Sequence, residues 1–275
     1  MNLRGKFIQY FFGLFCRKAL PAYDAIKVRE QQALNEIRKR RLDALSKLVD
    51  LPDDLQSVLK NCFSFPEATE IIQKFCIPIT VKDLRTLRPP NWLNDEIMNF
   101  YFELLHQRSK ANPNLPKIHI FSTFFYPKLK SNGYAPLKRW TRKVDIFTFD
   151  MILIPIHLGI HWCFAEINFK ERSIIYYDSL HNSNNACLKY LQEYLIEEHL
   201  DKKGTDGNSE FDFNNWSLSC PKGIPCQQNG YDCGVFACVF AEYRSRNAEF
   251  AFSQKDMIYF RDKMSYEIVK GALIS

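Results

Sequence analysis

The sequence predicts an α+β fold, in which helices gather around a run of consecutive strands. Three observations lead there. Strand-like stretches at 117–121, 151–156, 161–168 and 173–178 follow one another, the last three with only short turns between them. Helical patterns lie outside the three closely spaced strands, at 96–105, 188–199, 233–246 and 255–271, so strands and helices do not alternate as in a βαβ winding. The third observation sets the scale: 275 residues that are 46% hydrophobic and 15% aromatic can bury a sizeable core. One domain of roughly 200 residues plus an extension fits that length better than two equal domains.

Taken in order, residues 1–16 place Arg4 and Lys6 before an apolar stretch, which Gln9 and Gly13 interrupt and Arg17-Lys18 follow. It is too short to cross a bilayer, which takes about twenty residues, so no transmembrane segment is expected. From 24 to 49, Ile26, Val28, Leu34, Ile37, Leu42, Leu45 and Leu48 share one face of an amphipathic helix that Leu51-Pro52 ends. Residues 51–74 read as a connector with short helical turns. The expected division is a basic helical N-terminal extension and connector over 1–74 and a compact domain over 75–275. Within that domain Pro89-Pro90 stop one element and Asn94 can cap the next, whose buried stripe is Ile97, Phe100, Tyr101, Leu104 and Leu105. The strands at 161–168 and 173–178 form a hairpin about Lys170-Glu171-Arg172, with Cys163, Ala165 and Ile167 alternating to one face.

The net charge of +6 is unevenly spread. Residues 1–50 hold eleven Lys and Arg against five Asp and Glu, a surplus equal to that of the whole chain. The body is close to neutral, and a nucleic-acid role for it has no support. The run Arg38-Lys39-Arg40-Arg41 fits a localisation signal or a solvated helix face. Nine cysteines, at 16, 62, 76, 163, 187, 220, 226, 233 and 238, include no C-x-x-C pair and match neither a zinc ribbon nor a disulfide framework. Reduced thiols, no metal and no cofactor are the expectation.

One cysteine stands apart. The stretch Gln227-Gln228-Asn229-Gly230-Tyr231-Asp232-Cys233-Gly234 sets Cys233 between a turn and an apolar helix, with Asp232 able to cap that helix. A thiol there lies at the positive end of the backbone dipole, which favours the thiolate, the form that attacks carbonyls. Such a nucleophile needs a base, and the strong candidate is His161 at the start of one hairpin strand. Asp178, near the end of the other, comes beside it through the hairpin register. Its carboxylate would hold the imidazole in its useful tautomer and stabilise the imidazolium. His, then Asp, then Gln and Cys is the skeleton of a cysteine hydrolase.

Four segments carry a resemblance: Trp92-Leu93-Asn94-Asp95-Glu96-Ile97, Gly159-Ile160-His161-Trp162, Tyr176-Tyr177-Asp178-Ser179 and the stretch from Gln227 to Gly234. From about Phe75 to the end the chain resembles the SUMO-specific (sentrin/Ulp-type) cysteine proteases. The resemblance implies a papain-like-superfamily cysteine protease domain with a central mixed sheet flanked by helices. It implies a thiol isopeptidase and endopeptidase that cleaves after the C-terminal Gly-Gly of SUMO, freeing lysines and maturing precursors. Its partners would be SUMO and SUMO-conjugated proteins, with no nucleic acid required, a monomeric catalytic domain and a nuclear location, with the cytoplasm as the alternative. By position, Cys233 is the implied nucleophile, His161 the general base and then acid, Asp178 the orienting carboxylate, and Gln227 an oxyanion donor beside the Cys233 N–H. Trp92 and Trp162 match the pair that roofs a slot over the Gly-Gly tail, passable only without a Cβ. Asp95, Arg139 and His157 match positions that grip the modifier.

Two departures from the family pattern are visible. Cys226 stands where a first glutamine is usual, near enough in sequence to Cys233 to raise disulfide chemistry between them. Ser179-Leu180-His181-Asn182 lacks the glycines common after the Asp motif. Competing readings are a protease for another ubiquitin-like modifier, a silent SUMO-binding module and an acyltransferase. The filled catalytic positions weigh against the module, and the two tryptophans against the acyltransferase.

Overall fold

Leu55, Leu59 and Cys62, spaced four and three apart, are buried along one face of α1 (Leu55–Phe63). The computed structural model describes residues 48–204 and 212–274 together with Lys27 and Gln31. The apolar stretch at 1–16 and the basic run at 38–41 lie outside the described residues. Of the helix expected at 24–49, Lys27 and Gln31 are described and helical, and Leu48 and Val49 are described and not helical. The chain divides into Met1–Leu48 and Val49–Ser275. The second unit thus begins earlier than Phe75, and residues 49–74 belong to it. Tyr266 donates to Asp54 at 2.7 Å and Tyr259 to the Val49 carbonyl at 2.7 Å, both from the C-terminal helix.

β1 (Glu70–Lys74) and β2 (Ile77–Thr80) form an antiparallel hairpin in place of the expected connector. Its two loop residues, Phe75 and Cys76, have φ of 58° and 61°. Two-residue hairpin turns favour positive φ and usually assign it to Asn-Gly. Here the Phe75 ring meets Phe100 edge-on, 5.4 Å between centroids, and that contact offsets the backbone cost. Thr80 and Asp83 then cap α2 (Val81–Arg85) reciprocally.

α3 (Asp95–Ala111) starts where expected, with the Asn94 side chain accepting the Ile97 N–H at 3.1 Å. β3 (Ile118–Ile120) is followed by α4 (Phe125–Asn132), a helix the sequence reading did not foresee. β4 (Met151–His157), β5 (Trp162–Asn168) and β6 (Ser173–Tyr177) come next, then α5 (Asn185–Lys203) and the short β7 (Ser217–Ser219). α6 (Cys233–Ser245) and α7 (Met257–Lys270) end the described chain. β3 to β7 lie side by side in chain order, antiparallel in the centre and parallel at both outer pairs, which makes the sheet mixed.

Helices cover both faces. Cys163, Ala165 and Ile167 face a core shared with Ile152, Ile154 and Ile156 of β4, Phe125 of α4 and Leu191 of α5. On the other face Phe164 meets Phe102 of α3, and Tyr177 meets Phe240 of α6. Glu166 lies on that second face, fully buried, and Arg244 of α6 reaches it in a two-point ion pair at 2.6 and 3.0 Å. The pairings His157↔Trp162 and Phe164↔Tyr177 bring the end of β4, the start of β5 and the end of β6 to one edge of the sheet. α6 opens at that edge. No helix among the described residues is long and apolar enough to cross a membrane.

Candidate active site

His161 precedes β5 and Asp178 follows β6, so the hairpin register leaves them side by side, with His161 Nε2 2.7 Å from Asp178 Oδ1. Asp178 is buried, and the Leu180 N–H donates to the same oxygen at 2.8 Å. Burial pushes the imidazole pKa down, but hydrogen bonds to Asp178, Cys163 and Cys233 more than reverse this and lift it to about 12. Burial also works to raise Asp178, yet the imidazole, the Leu180 N–H and Asn182 hold it below the ordinary carboxylate value. The pair is therefore imidazolium and carboxylate near neutrality. With Nε2 given to Asp178, Nδ1 is the nitrogen that remains for a thiol.

Cys233 is the first residue of α6 and is buried, at the positive end of the helix dipole. Asp232 occupies the capping position but does not cap, contrary to the sequence reading. Its carboxylate is drawn away by Arg261 Nε at 2.8 Å, Gln254 Nε2 at 2.7 Å and Asn229 Nδ2 at 2.6 Å. The first N–H groups of α6 thus carry no side-chain cap, which leaves them for an oxyanion. Gln227 is buried and locked in place. Its Oε1 accepts from Ser179 Oγ at 2.9 Å, its backbone N–H donates to the Ser179 carbonyl at 2.8 Å, and one Nε2 hydrogen goes to the Asn229 carbonyl. A primary amide carries two N–H donors, so one is left to point elsewhere.

Trp162 is only 5% exposed and Trp92 is 46% exposed. The Trp162 Nε1–H donates to the Leu93 carbonyl at 2.9 Å, and its ring stacks on His157 with centroids 4.1 Å apart. Gly234 closes the same seam, since a Cβ there would lie 2.9 Å from Leu93 Cβ. The Trp92 loop, the Trp162 strand and the Cys233 helix therefore converge on Leu93. Asp95 begins α3 three residues beyond Trp92, and its hydrogen bond with Glu96 raises the pKa of the latter. Arg139 is exposed in the turn region beyond α4, and no hydrogen bond or ion pair joins its side chain to the other candidates among the described residues. Cys226 is exposed and Cys233 buried, both as free thiols with no disulfide between them.

Three residues escaped the sequence reading. Ser179 holds Gln227, but a serine after an aspartate is too common to signal it. Phe124 immediately precedes α4 and has 58% of its surface exposed. Its neighbours Phe125 and Tyr126 are buried, and the run of three aromatics hides which one faces out. Strand alternation puts Cys163 on the core face, and it is buried there. Its Sγ also lies within 4.8 Å of the His161 and Asp178 donor atoms and accepts from Tyr176 at 2.9 Å.

Thiolate formation, proton transfer and oxyanion binding can all take place within this one edge of the sheet, and that combination defines a cysteine protease of α+β fold. Comparison with known proteins makes the class specific. Residues 91–273 match the C-terminal catalytic domain of the Ulp1 protease family. A sentrin-specific protease of Caenorhabditis elegans is 46% identical over 241 residues, which are 87% of this chain and 34% of that protein. Sentrin-specific protease 2 of Homo sapiens is 38% identical over 263 residues, 95% of this chain and 43% of that protein. Among solved structures, the C-terminal Ulp1 protease domain in complex with Smt3, the yeast orthologue of SUMO, has a TM-score of 0.69 and 31% identity, covering 82% of this chain and 98% of that one. The chain belongs to the Ulp1 protease family. It spans less than half the length of these two curated relatives.

Proposed function

We propose that this chain is a thiol isopeptidase and endopeptidase that cleaves after the C-terminal Gly-Gly of SUMO, releasing it from lysine side chains and trimming its precursor. The observation that carries the reading is the His161–Asp178 contact of 2.7 Å, with Cys233 at the start of α6, the helix that opens at the same edge of the sheet. Membership of the Ulp1 family and the complex of a related domain with Smt3 support SUMO as the modifier.

In this reading the Cys233 thiolate attacks the carbonyl carbon of the terminal glycine, and its C=O electrons move onto oxygen. The oxyanion is met by the Cys233 N–H and the spare Nε2 hydrogen of Gln227. His161 Nδ1–H gives its proton to the leaving lysine amine as the C–N bond breaks, leaving a thioester. His161 then takes a proton from water, the hydroxide attacks the thioester, and the thiolate departs. Asp178 keeps the imidazole oriented and balances its charge throughout. Trp92 and Trp162 roof the tail, and Asp95, Arg139 and His157 contact the modifier. The catalytic unit acts as a monomer, and the basic run at 38–41 directs the protein to the nucleus.

A panel of SUMO-, ubiquitin- and other modifier-fluorophore conjugates tests this. Rapid release from SUMO and at least tenfold slower release from the others is expected, a ratio of the size that differential contacts supply. Tight SUMO binding without turnover would instead identify a binding module.

A further inference from the structure

Arg261 of α7 heads the fully buried side chains in bulk among the described residues, and no step of the chemistry above uses it. Burying a guanidinium is unfavourable unless its donors are met. Here four donations are made, and they go to two separate loops. Nε reaches Asp232 Oδ1 at 2.8 Å and Nη2 reaches the Tyr231 carbonyl at 3.0 Å, both in the turn that delivers Cys233. Nη2 also reaches the Asn91 carbonyl at 3.0 Å, and Nη1 the Thr86 carbonyl at 3.2 Å, both in the segment that leads to Trp92.

The first loop carries the contact further. Asp232 Oδ2 accepts from Asn229 Nδ2 and from Gln254 Nε2, and Gln254 Oε1 accepts the Gln228 N–H at 2.8 Å. The Asn229 carbonyl in turn accepts one hydrogen of Gln227 Nε2. A continuous chain of hydrogen bonds thus runs from Arg261 through Asp232 and Asn229 to Gln227. Mere neutralisation of Asp232 would need one donor. The remaining three are spent on backbone carbonyls, two of them across the gap in the Trp92 segment. A planar fork of five donors is the side chain that can span both loops at once, whereas a lysine ammonium is a single point.

We propose that Arg261 is a positioning residue that fixes the Trp92 segment relative to the Cys233 turn, so that the substrate's terminal carbonyl meets the Gln227 amide and the Cys233 N–H. This rests on the roles given to Cys233, Gln227 and Trp92 under Proposed function. It concerns registration of tail and donors, and leaves the reactivity of the thiol to His161 and Asp178.

The test uses the full chain with Arg261→Lys, Arg261→Gln and Asp232→Asn, assayed on a SUMO C-terminal fluorophore well below each melting temperature. Expected is a fall in kcat on the order of 100-fold for Arg261→Lys, the size of effect that a small misplacement of reacting groups produces. KM should change by less than about threefold, because most contact with the modifier lies elsewhere. Alkylation of Cys233 by iodoacetamide needs neither tail nor oxyanion, and should stay within about threefold of wild type. Ile167→Ala, a core truncation at the far end of β5, serves as control and should lower the melting temperature without changing kcat. Arg261→Lys with wild-type kcat overturns the proposal. So does alkylation that falls in step with kcat, because the Cys233 site itself would then have collapsed. If Arg261→Gln does not fold, Arg261→Lys and Asp232→Asn still decide the matter through the same split. A wild-type chain that cleaves SUMO beside an equally fast Arg261→Lys refutes this inference alone, whereas a wild type without SUMO cleavage refutes the functional reading and this one with it.

Discussion

Replacing Gly234 with alanine sets two effects against each other. Alanine in place of glycine within a helix gains about 1 kcal/mol from propensity alone, and less near the end of a helix. The new Cβ would sit 2.9 Å from Leu93 Cβ, 3.0 Å from its Cγ and 3.2 Å from Cδ1. Leu93 Cβ is fixed to the backbone and cannot swing aside like the end of a long chain, so either α6 or the Trp92 segment must shift. Overpacking of that kind costs about 1–3 kcal/mol. The packing effect wins, for a net loss of about 1 kcal/mol, which lowers the melting temperature of a unit this size by roughly 2–4 °C. Activity should suffer more than stability, since Leu93 supplies the acceptor for Trp162 and adjoins Trp92. A drop in kcat/KM on the order of 100-fold is expected from displacing the tail slot relative to the thiol. Differential scanning calorimetry and SUMO-fluorophore cleavage measure the two quantities on one sample. A raised melting temperature with unchanged kcat/KM would refute the reasoning, because it would mean that Leu93 yields freely and the seam is not tight.

Cys233→Ser should abolish cleavage while retaining SUMO binding, and a SUMO C-terminal vinyl sulfone should label Cys233 alone; an adduct mapped to Cys226 or Cys238 counts against the assignment. Asp178→Asn removes a group that holds the His161 pKa near 12, so the imidazole loses the proton it gives the leaving amine at lower pH. The alkaline limb of kcat/KM, which that pKa sets far above neutrality in the wild type, should move toward neutrality, with a rate loss on the order of 10³–10⁴-fold. A pH profile with both limb and rate unchanged contradicts this. Trp162→Ala should lower kcat/KM more than SUMO affinity and blunt discrimination between Gly-Gly and Gly-Ala tails, read by parallel kinetics and binding; full rate with full discrimination would make Trp162 merely structural.

The parts of the molecule legible in the sequence were those with strong local signals. β4, β5 and β6 are apolar runs with clear breaks between them, and α3 has an asparagine at its start that caps it in fact. The neighbouring of His161 and Asp178 followed from hairpin register alone. What escaped had local signals that were weak or misleading. The β1-β2 hairpin turns on Phe75-Cys76, residues that favour positive φ poorly, and the long-range Phe100 contact that sustains them is invisible to pattern reading. The sequence puts the start of the compact unit at Phe75, where Ile77-Pro78-Ile79-Thr80 leads into Val81, whereas in the structure the unit begins at Val49. α4 lacks a side-chain cap and carries Pro127 in its first turn, while β7 is three residues long and recognisable only through its pairing with β6. Asp232 looked like a cap because its type and place suit one, and only the distant Arg261 reveals that its carboxylate is engaged elsewhere.

The ion pair between Glu166 and Arg244 bears on how the thiol keeps its distance from the imidazole. His161 and Asp178 share one hairpin and move together, but Cys233 arrives on a separate cylinder laid across the sheet. An α-helix is a screw: a slip of one residue advances it 1.5 Å and turns it about 100°. Any such motion of α6 would carry the sulfur off its line to Nδ1 while leaving the hairpin undisturbed. Arg244 bolts the far end of that screw to the middle of β5. With that fastening in place, α6 can neither thread forward nor rotate without breaking a buried ionic contact. The precision of the reacting pair is thus maintained by an arginine that touches neither member of it.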